Sequence, residues 1–235
     1  MSMSQEDFDI EGLARHLHLT APQVQKMADR GQLPGRKIGG QWRFSPAEVH
    51  HWVEERIGAL DEGELAAMED VLQGHEPTEE AICIADLLPT DAISAELPAK
   101  TARSAIDAMV QLGSETGHLW DPPKMAEAVR ARETLFPTAL DNGVALLHPR
   151  RPMSTILAEP FLALGRTPSG IPFGGSRGTL TDIFFLICSV TDSEHLRTLA
   201  RLSRILSAPG MLSDLRHADD KYTMLDVIRQ YEAEL

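Results

Sequence analysis

The sequence predicts two domains: a small, mainly helical module, then an α/β domain. Three observations carry this. From Ile10 to Val53 apolar residues recur at helical spacing, broken by one Gly-Gly turn between short β-like runs. From Ile82 onward short apolar runs alternate with amphipathic stretches, the pattern of strands interleaved with helices. Between them, 58–81 is acidic and punctuated by Gly58, Gly63, Gly74 and Pro77.

Residues 1–9 read as a flexible tail. Ile10, Leu13, Ala14 and Leu17 make one apolar helix face. Thr20 is a good N-cap for a second helix, with Pro22 just inside it. Val24, Met27 and Ala28 form that helix's inner face, and Gly31 stops it. Arg36 to Phe44 reads as a hairpin turning at Gly39-Gly40. Ser45-Pro46-Ala47-Glu48 has capping-box spacing and starts a third helix, with Val49, Trp52 and Val53 facing inward. The first module is therefore placed at 10–57 and an acidic linker at 58–81, although Asp61 to Leu72 has helical potential.

In the second domain, 82–235, helices are predicted over Ala105–Leu112, Pro123–Arg132 and Ser193–Leu206, with a last one inside Asp219–Leu235. Strands are predicted over Val144–Leu147, Ile156–Leu164 and Ile183–Val190. The first of these follows the turn signal Asp141-Asn142-Gly143 and ends directly at His148. A histidine there is held on a rigid element and can still open to solvent, which suits a phosphoryl acceptor or a general base.

A length of 235 residues allows one or two domains of ordinary size. No apolar run approaches the roughly 18 residues of a membrane span, and the polar N-terminus is not a signal peptide. Cys83 and Cys188 make neither a zinc pattern nor a disulfide framework, and both read as buried thiols, which places the chain in a reducing cytoplasm. The net charge is −13, yet the window 10–60 holds seven Lys or Arg against five acids, a net +2. An acidic protein with one locally basic module can bind DNA through that module.

The first module resembles the excisionase/MerR-like helix-turn-helix family. The resemblance rests on Leu13-Ala-Arg-His-Leu17, Arg30-Gly-Gln-Leu-Pro34, and above all Lys37-Ile-Gly-Gly-Gln-Trp-Arg-Phe44 followed by Glu48 to Trp52. It implies a winged helix-turn-helix that binds DNA. Gln23 and Lys26 would lie on the exposed face of the second helix, where Gln can read adenine and Lys can contact guanine or phosphate. Arg36, Lys37 and Arg43 would reach backbone phosphates from the wing. The bland alternative is a solvated charged face, and for Arg15 and Arg56 that is the reading taken. Trp42 is read as the wing's anchor. A single such module makes few phosphate contacts, so dimers or a partner on DNA are expected.

The second domain resembles the enzyme IIA domains of the mannitol/fructose class of the phosphoenolpyruvate-dependent phosphotransferase system, the nitrogen-regulatory enzyme IIA included. The motifs are Arg132-Glu133, Asn142-Gly-Val-Ala-Leu-Leu-His148, Gly170-Ile-Pro-Phe173, Asp182 to Val190, and His195-Leu-Arg-Thr-Leu199. The resemblance implies a mixed sheet flanked by helices. It makes His148 the acceptor of a phosphoryl group from an HPr-type phosphocarrier. It places His195 beside His148 as a hydrogen-bond donor to the phosphoryl oxygens, Arg132 as a charge-balancing group, and Asn142 as a weaker candidate for orienting the loop. His195 serving only as a helix cap, and Arg132 as a buried ion-pair partner, remain the alternatives.

One departure matters. The family's proline before the active histidine is replaced by Leu147, and proline follows instead, in His148-Pro-Arg-Arg-Pro152. Pro149 restrains His148 toward an extended conformation. Arg150 and Arg151 are suited to clamping an anion and equally to repelling a basic partner face. The loop Gly170 to Thr179 lacks the lysine and strand-to-helix context of a nucleotide loop and reads as a hairpin turn. No metal-ligand spacing, hydrolase elbow or cofactor motif appears. His16, His18, His50, His51, His75, His118 and His217 carry no motif. The function expected is a phosphorylation-controlled regulator that binds DNA. The rivals are a phosphocarrier whose first module binds protein, and a non-phosphorylated anion sensor built on His148, Arg150 and Arg151.

Overall fold

The computed structural model describes residues 7–17, 19–57, 63, 65, 82–175 and 178–235. The chain divides into two compact units, Met1–Ala81 and Ile82–Leu235, each with its own core. Most of the stretch read as a linker, including the helical potential at Asp61 to Leu72, lies outside the described residues, as do His18 and His75.

In the first unit α1 (Ile10–His16) and α2 (Ala21–Asp29) are joined by a short turn, β1 (Arg36–Ile38) and β2 (Gln41–Arg43) form an antiparallel wing, and α3 (Pro46–Ile57) follows. The wing turns where the sequence demands it: Gly39 (φ 58°) and Gly40 (φ 81°) both occupy the left-handed region that a two-residue hairpin loop requires. Leu13, Val24, Ala28, Phe44, Val49 and Val53 are buried as this unit's core. The tail expectation needs one correction. Phe8 exchanges both backbone hydrogen bonds with Phe44, and the Asp9 carboxylate caps α1 by accepting from the Gly12 N–H at 2.7 Å. Residues 7–9 therefore belong to the module, because they complete its hydrogen bonding.

The second unit runs through a 3₁₀ turn (Thr90–Ala92), β3 (Ile93–Ser94), α4 (Ala102–Ser114), α5 (Pro122–Leu135) and β4 (Val144–Leu147). It continues with β5 (Phe161–Pro172), β6 (Leu180–Cys188), α6 (Asp192–Ser207), α7 (Met211–His217) and α8 (Lys221–Ala233). The sheet order is β3-β5-β6-β4. β5 and β6 are antiparallel, while β3 runs parallel to β5 and β4 parallel to β6, so the sheet is mixed as expected. Every residue of β4 is buried, which explains its uninterrupted apolar sequence.

Two differences from the sequence reading have physical causes. The strand expected at Ile156–Leu164 begins only at Phe161. Ile156 and Leu157 are buried, but their backbones serve the loop at 118–120: Trp120 N–H donates to the Ile156 carbonyl at 2.9 Å, and Leu157 bridges Leu119. The strand then runs on to Pro172, absorbing the turn-like Thr167 to Gly170 in a register shift between Arg166 and Ile171. β3 and α7 are short and were not expected. The connection from β5 to β6 is the hairpin turn read from the sequence, with Ser176 and Arg177 outside the described residues. Cys188 is buried as expected, while Cys83 is only half-buried and its Sγ lies 3.3 Å from a Glu232 carboxylate oxygen. Among the described residues no helix is long and apolar enough to cross a membrane.

Candidate functional site

β4 delivers His148 to the edge of the core, one residue past the strand. Its Nδ1 lies 2.8 Å from the Leu146 carbonyl oxygen. A carbonyl can only accept, so Nδ1 carries the proton, and in the neutral ring the lone pair is left on Nε2. The imidazole is thus oriented by its own strand.

His195 approaches from β6 and α6. Thr191 caps α6 by accepting from the Glu194 N–H at 3.2 Å, and the Glu194 carboxylate accepts from the Val190 N–H at 3.1 Å. These two bonds lock the short connection from strand to helix and place His195 on the first turn of α6. The His148 and His195 ring centroids are 4.9 Å apart, with the rings tilted by 56°. Both side chains are buried. The Nδ1 of His195 is 3.3 Å from the Ser189 hydroxyl.

A buried chain of hydrogen bonds supports His148 from below. The segment 138–140 runs antiparallel along β4: Leu140 N–H donates to Val144, Ala139 bridges Ala145, and Leu146 N–H donates to the Thr138 carbonyl. Thr138 is in turn gripped by Glu133, whose carboxylate accepts from both its N–H (3.1 Å) and its hydroxyl. Burial pushes the Glu133 carboxyl up, opposed chiefly by the two Thr138 bonds and also by the nearby Arg132 charge. Arg132 is buried on the last turn of α5 and donates to the Phe136 carbonyl at 2.6 Å. It thereby holds the start of the segment that runs beside β4.

Asn142 does not join this site. It sits at the opposite end of β4, roughly 15 Å away for an extended strand of this length. There its side-chain oxygen accepts from Val144 N–H at 3.3 Å, and its carbonyl accepts from Arg216. Arg216 also clasps Asp182 through two bonds of 2.7 and 2.9 Å. Asn142 therefore shapes the turn that enters β4 rather than the loop that leaves it. Arg150 and Arg151 are exposed just beyond Pro149.

Sequence reasoning missed Thr138, the Leu146 carbonyl and Ser189. A backbone acceptor leaves no mark on a sequence, and a lone serine before a helix reads only as a turn residue.

In the first unit the candidate DNA-reading residues are exposed, save the half-buried Arg43, but not idle. Lys26 is open to solvent. The Gln23 side-chain oxygen accepts from the Thr20 N–H at 2.8 Å, so it closes a capping box. The Thr20 hydroxyl also donates to that oxygen at 2.7 Å, so a bidentate contact to adenine would have to replace these local bonds. Arg36 pairs with Asp7 at 2.7 Å. Lys37 lies 4.9 Å over the Trp42 ring and 3.8 Å from Asp29, which also accepts from the Trp42 indole N–H at 3.2 Å. Trp42 is thus the wing's anchor, tied to α2. Arg43 donates to Gln41 at 3.2 Å.

Comparison with known proteins agrees with both halves. Residues 8–57 match a helix-turn-helix domain, and residues 86–231 match the family described as phosphoenolpyruvate-dependent sugar phosphotransferase system, EIIA 2. A nitrogen regulatory protein of Bradyrhizobium diazoefficiens is 30% identical over 149 residues, covering 62% of this chain and 94% of that protein. A fructose-specific EIIA component of Haloferax volcanii is 26% identical over 149 residues, covering 63% and 95%. The fructose-specific EIIABC component of Bacillus subtilis is also 26% identical over 151 residues, but the match spans only 23% of its length. In fold, the domain resembles the nitrogen regulatory protein IIA-Ntr of Neisseria meningitidis (TM-score 0.56, 20% identity, 62% of this chain and 98% of that one). It also resembles the mannitol IIA of Escherichia coli (TM-score 0.53, 20% identity, 60% and 97%). The family match extends over more than half of the chain, so this protein belongs to the EIIA 2 family of the phosphoenolpyruvate-dependent sugar phosphotransferase system, with a helix-turn-helix domain at its N-terminal side.

Proposed function

We propose that His148 accepts a phosphoryl group from an HPr-type phosphocarrier and that its phosphorylation state governs DNA binding by the N-terminal domain. The observation that carries this reading is the Nδ1 contact of His148 with the Leu146 carbonyl, which leaves Nε2 as the nucleophile, with a second imidazole 4.9 Å away. In the transfer, the P–N bond to the donor histidine breaks with its electron pair staying on the donor nitrogen. The Nε2 lone pair of His148 forms the new P–N bond. Nδ1 keeps its proton, donated to the Leu146 carbonyl, and the positive charge this leaves on the ring is offset by the phosphoryl group. His195 donates to the phosphoryl oxygens, as positioning and electrostatics dominate such transfers. Arg132 holds the segment beside the acceptor strand.

His148 is buried in the resting structure, so the ring is uncovered before a donor reaches it. Transfer then puts a phosphoryl group carrying close to two negative charges on a ring carrying one positive charge, a net gain of about one negative charge at the site. Both facts give phosphorylation a conformational consequence, which is what a regulator needs. Leu147 in place of proline does not disturb the strand, since it pairs in register with Leu186.

Intact mass after incubation with phosphoenolpyruvate, enzyme I and HPr tests the reading, with His148→Ala as control. The expected result is a gain of one phosphoryl mass in the wild type and none in the variant. An inert wild type contradicts the relay and favours an anion-sensing site. Equal labelling of both proteins moves the acceptor elsewhere.

A further inference from the structure

The two site histidines have their Nδ1 atoms held by different kinds of group, and the difference has a chemical consequence. His148 faces a carbonyl, which fixes its proton on Nδ1. His195 faces the hydroxyl of Ser189, which can donate as well as accept. Ser189 is the residue after β6, is buried, and lies on the connection that Thr191 and Glu194 lock. It is therefore held on a rigid element beside the ring.

A neutral imidazole has one N–H. If Nδ1 of His195 carried it, Nε2 would present a lone pair to an anionic phosphoryl group, and the contact would be repulsive. If the Ser189 hydroxyl donates to Nδ1, the proton sits on Nε2 and the contact is a charge-assisted hydrogen bond. We propose that Ser189 is a positioning residue which holds His195 in the Nε2–H tautomer. The pair of rings is then complementary: an unprotonated Nε2 on His148 to form the bond, and an Nε2–H on His195 to donate to the phosphoryl oxygens. This inference rests on the phosphotransfer reading for its purpose, but the tautomer itself is independent of any donor.

Nitrogen-15 NMR of the histidine rings in the full chain, with Ser189→Ala and Ser189→Thr beside wild type, reads the tautomer without phosphorylation. Wild type and Ser189→Thr should show His195 protonated on Nε2, and Ser189→Ala should shift it toward Nδ1–H. Loss of one such hydrogen bond should also slow phosphorylation by HPr roughly tenfold in Ser189→Ala. In a His195→Gln background, where the amide donates without any tautomer, adding Ser189→Ala should change the rate no further. A wild-type His195 protonated on Nδ1 or on both nitrogens overturns the proposal, and so does a tautomer that Ser189→Ala leaves unchanged. A wild type with the Nε2–H tautomer that takes no phosphoryl group overturns the phosphotransfer reading instead.

Discussion

At the scale of single residues, Glu133 is the clearest case of a group whose cost and use can be separated. Its carboxyl is pushed up from an ordinary value of 4.5, mainly by burial, although Thr138 and Arg132 pull the other way. A raised carboxyl pKa means the folded state holds a proton that the unfolded state has released. Stability therefore falls as pH rises from about the ordinary value through the raised one. Glu133→Gln removes that titration while keeping an acceptor for Thr138. Thermal unfolding of both proteins across acidic to neutral pH should show wild type losing ground to the variant as pH rises; a constant difference would contradict this. The sequence singled out His148, His195 and Arg132 because a motif surrounds each. It did not separate Asn142 from them, because six positions along a strand look adjacent on paper and lie at opposite ends of it in space. Gln23 illustrates a related ambiguity: the same side chain can read a base or cap a helix, and here its oxygen accepts from Thr20.

At the scale of elements, the last helix is fixed to the start of its domain by one carboxylate. Glu232 on α8 is buried and accepts from Ile84 N–H (2.8 Å), Ala85 N–H (2.9 Å) and Arg201 Nε (3.2 Å). Replacing it with alanine strands two backbone donors and breaks an ion pair. The cost should be about 3 kcal/mol in the denaturant-induced transition of the C-terminal domain. A change under about 1 kcal/mol would mean the clamp is not stabilising. Nothing in the sequence announced it, since the two backbone donors it holds stand nearly 150 positions away. Elements with strong local signals were legible: the Gly39-Gly40 wing, the Thr20 cap, the all-apolar β4, and the helix after Thr191. β5 was placed several residues too early, because the buried Ile156 and Leu157 read like strand. Its real second half, from Thr167 to Gly170, has turn chemistry and is a strand only because β6 pairs with its flanks.

At the scale of the whole molecule, the division into two units was readable from the shift in charge and periodicity near residue 58, and both units have their relatives. DNA binding by the first unit should be strongly salt-dependent, with each phosphate contact adding about 0.9 to the slope of log affinity against log salt. Lys37→Ala and Arg43→Ala should each weaken binding across sequences and lower that slope by about 1 in a salt titration. Unchanged slopes would favour a protein-binding role for this domain. Lys37 has a further duty, since it also rests on Trp42 and near Asp29. Its replacement should be accompanied by a check that the domain's melting is preserved.

The measurement that bears most directly on the central claim is phosphorus-31 and nitrogen-15 NMR of the labelled full chain after phosphorylation by phosphoenolpyruvate, enzyme I and HPr. The account predicts a single phosphoryl group bonded to Nε2 of His148, because Leu146 holds the proton on Nδ1. A phosphoryl group on Nδ1 of His148, on His195 or on any other residue, or no phosphorylation at all, would contradict it.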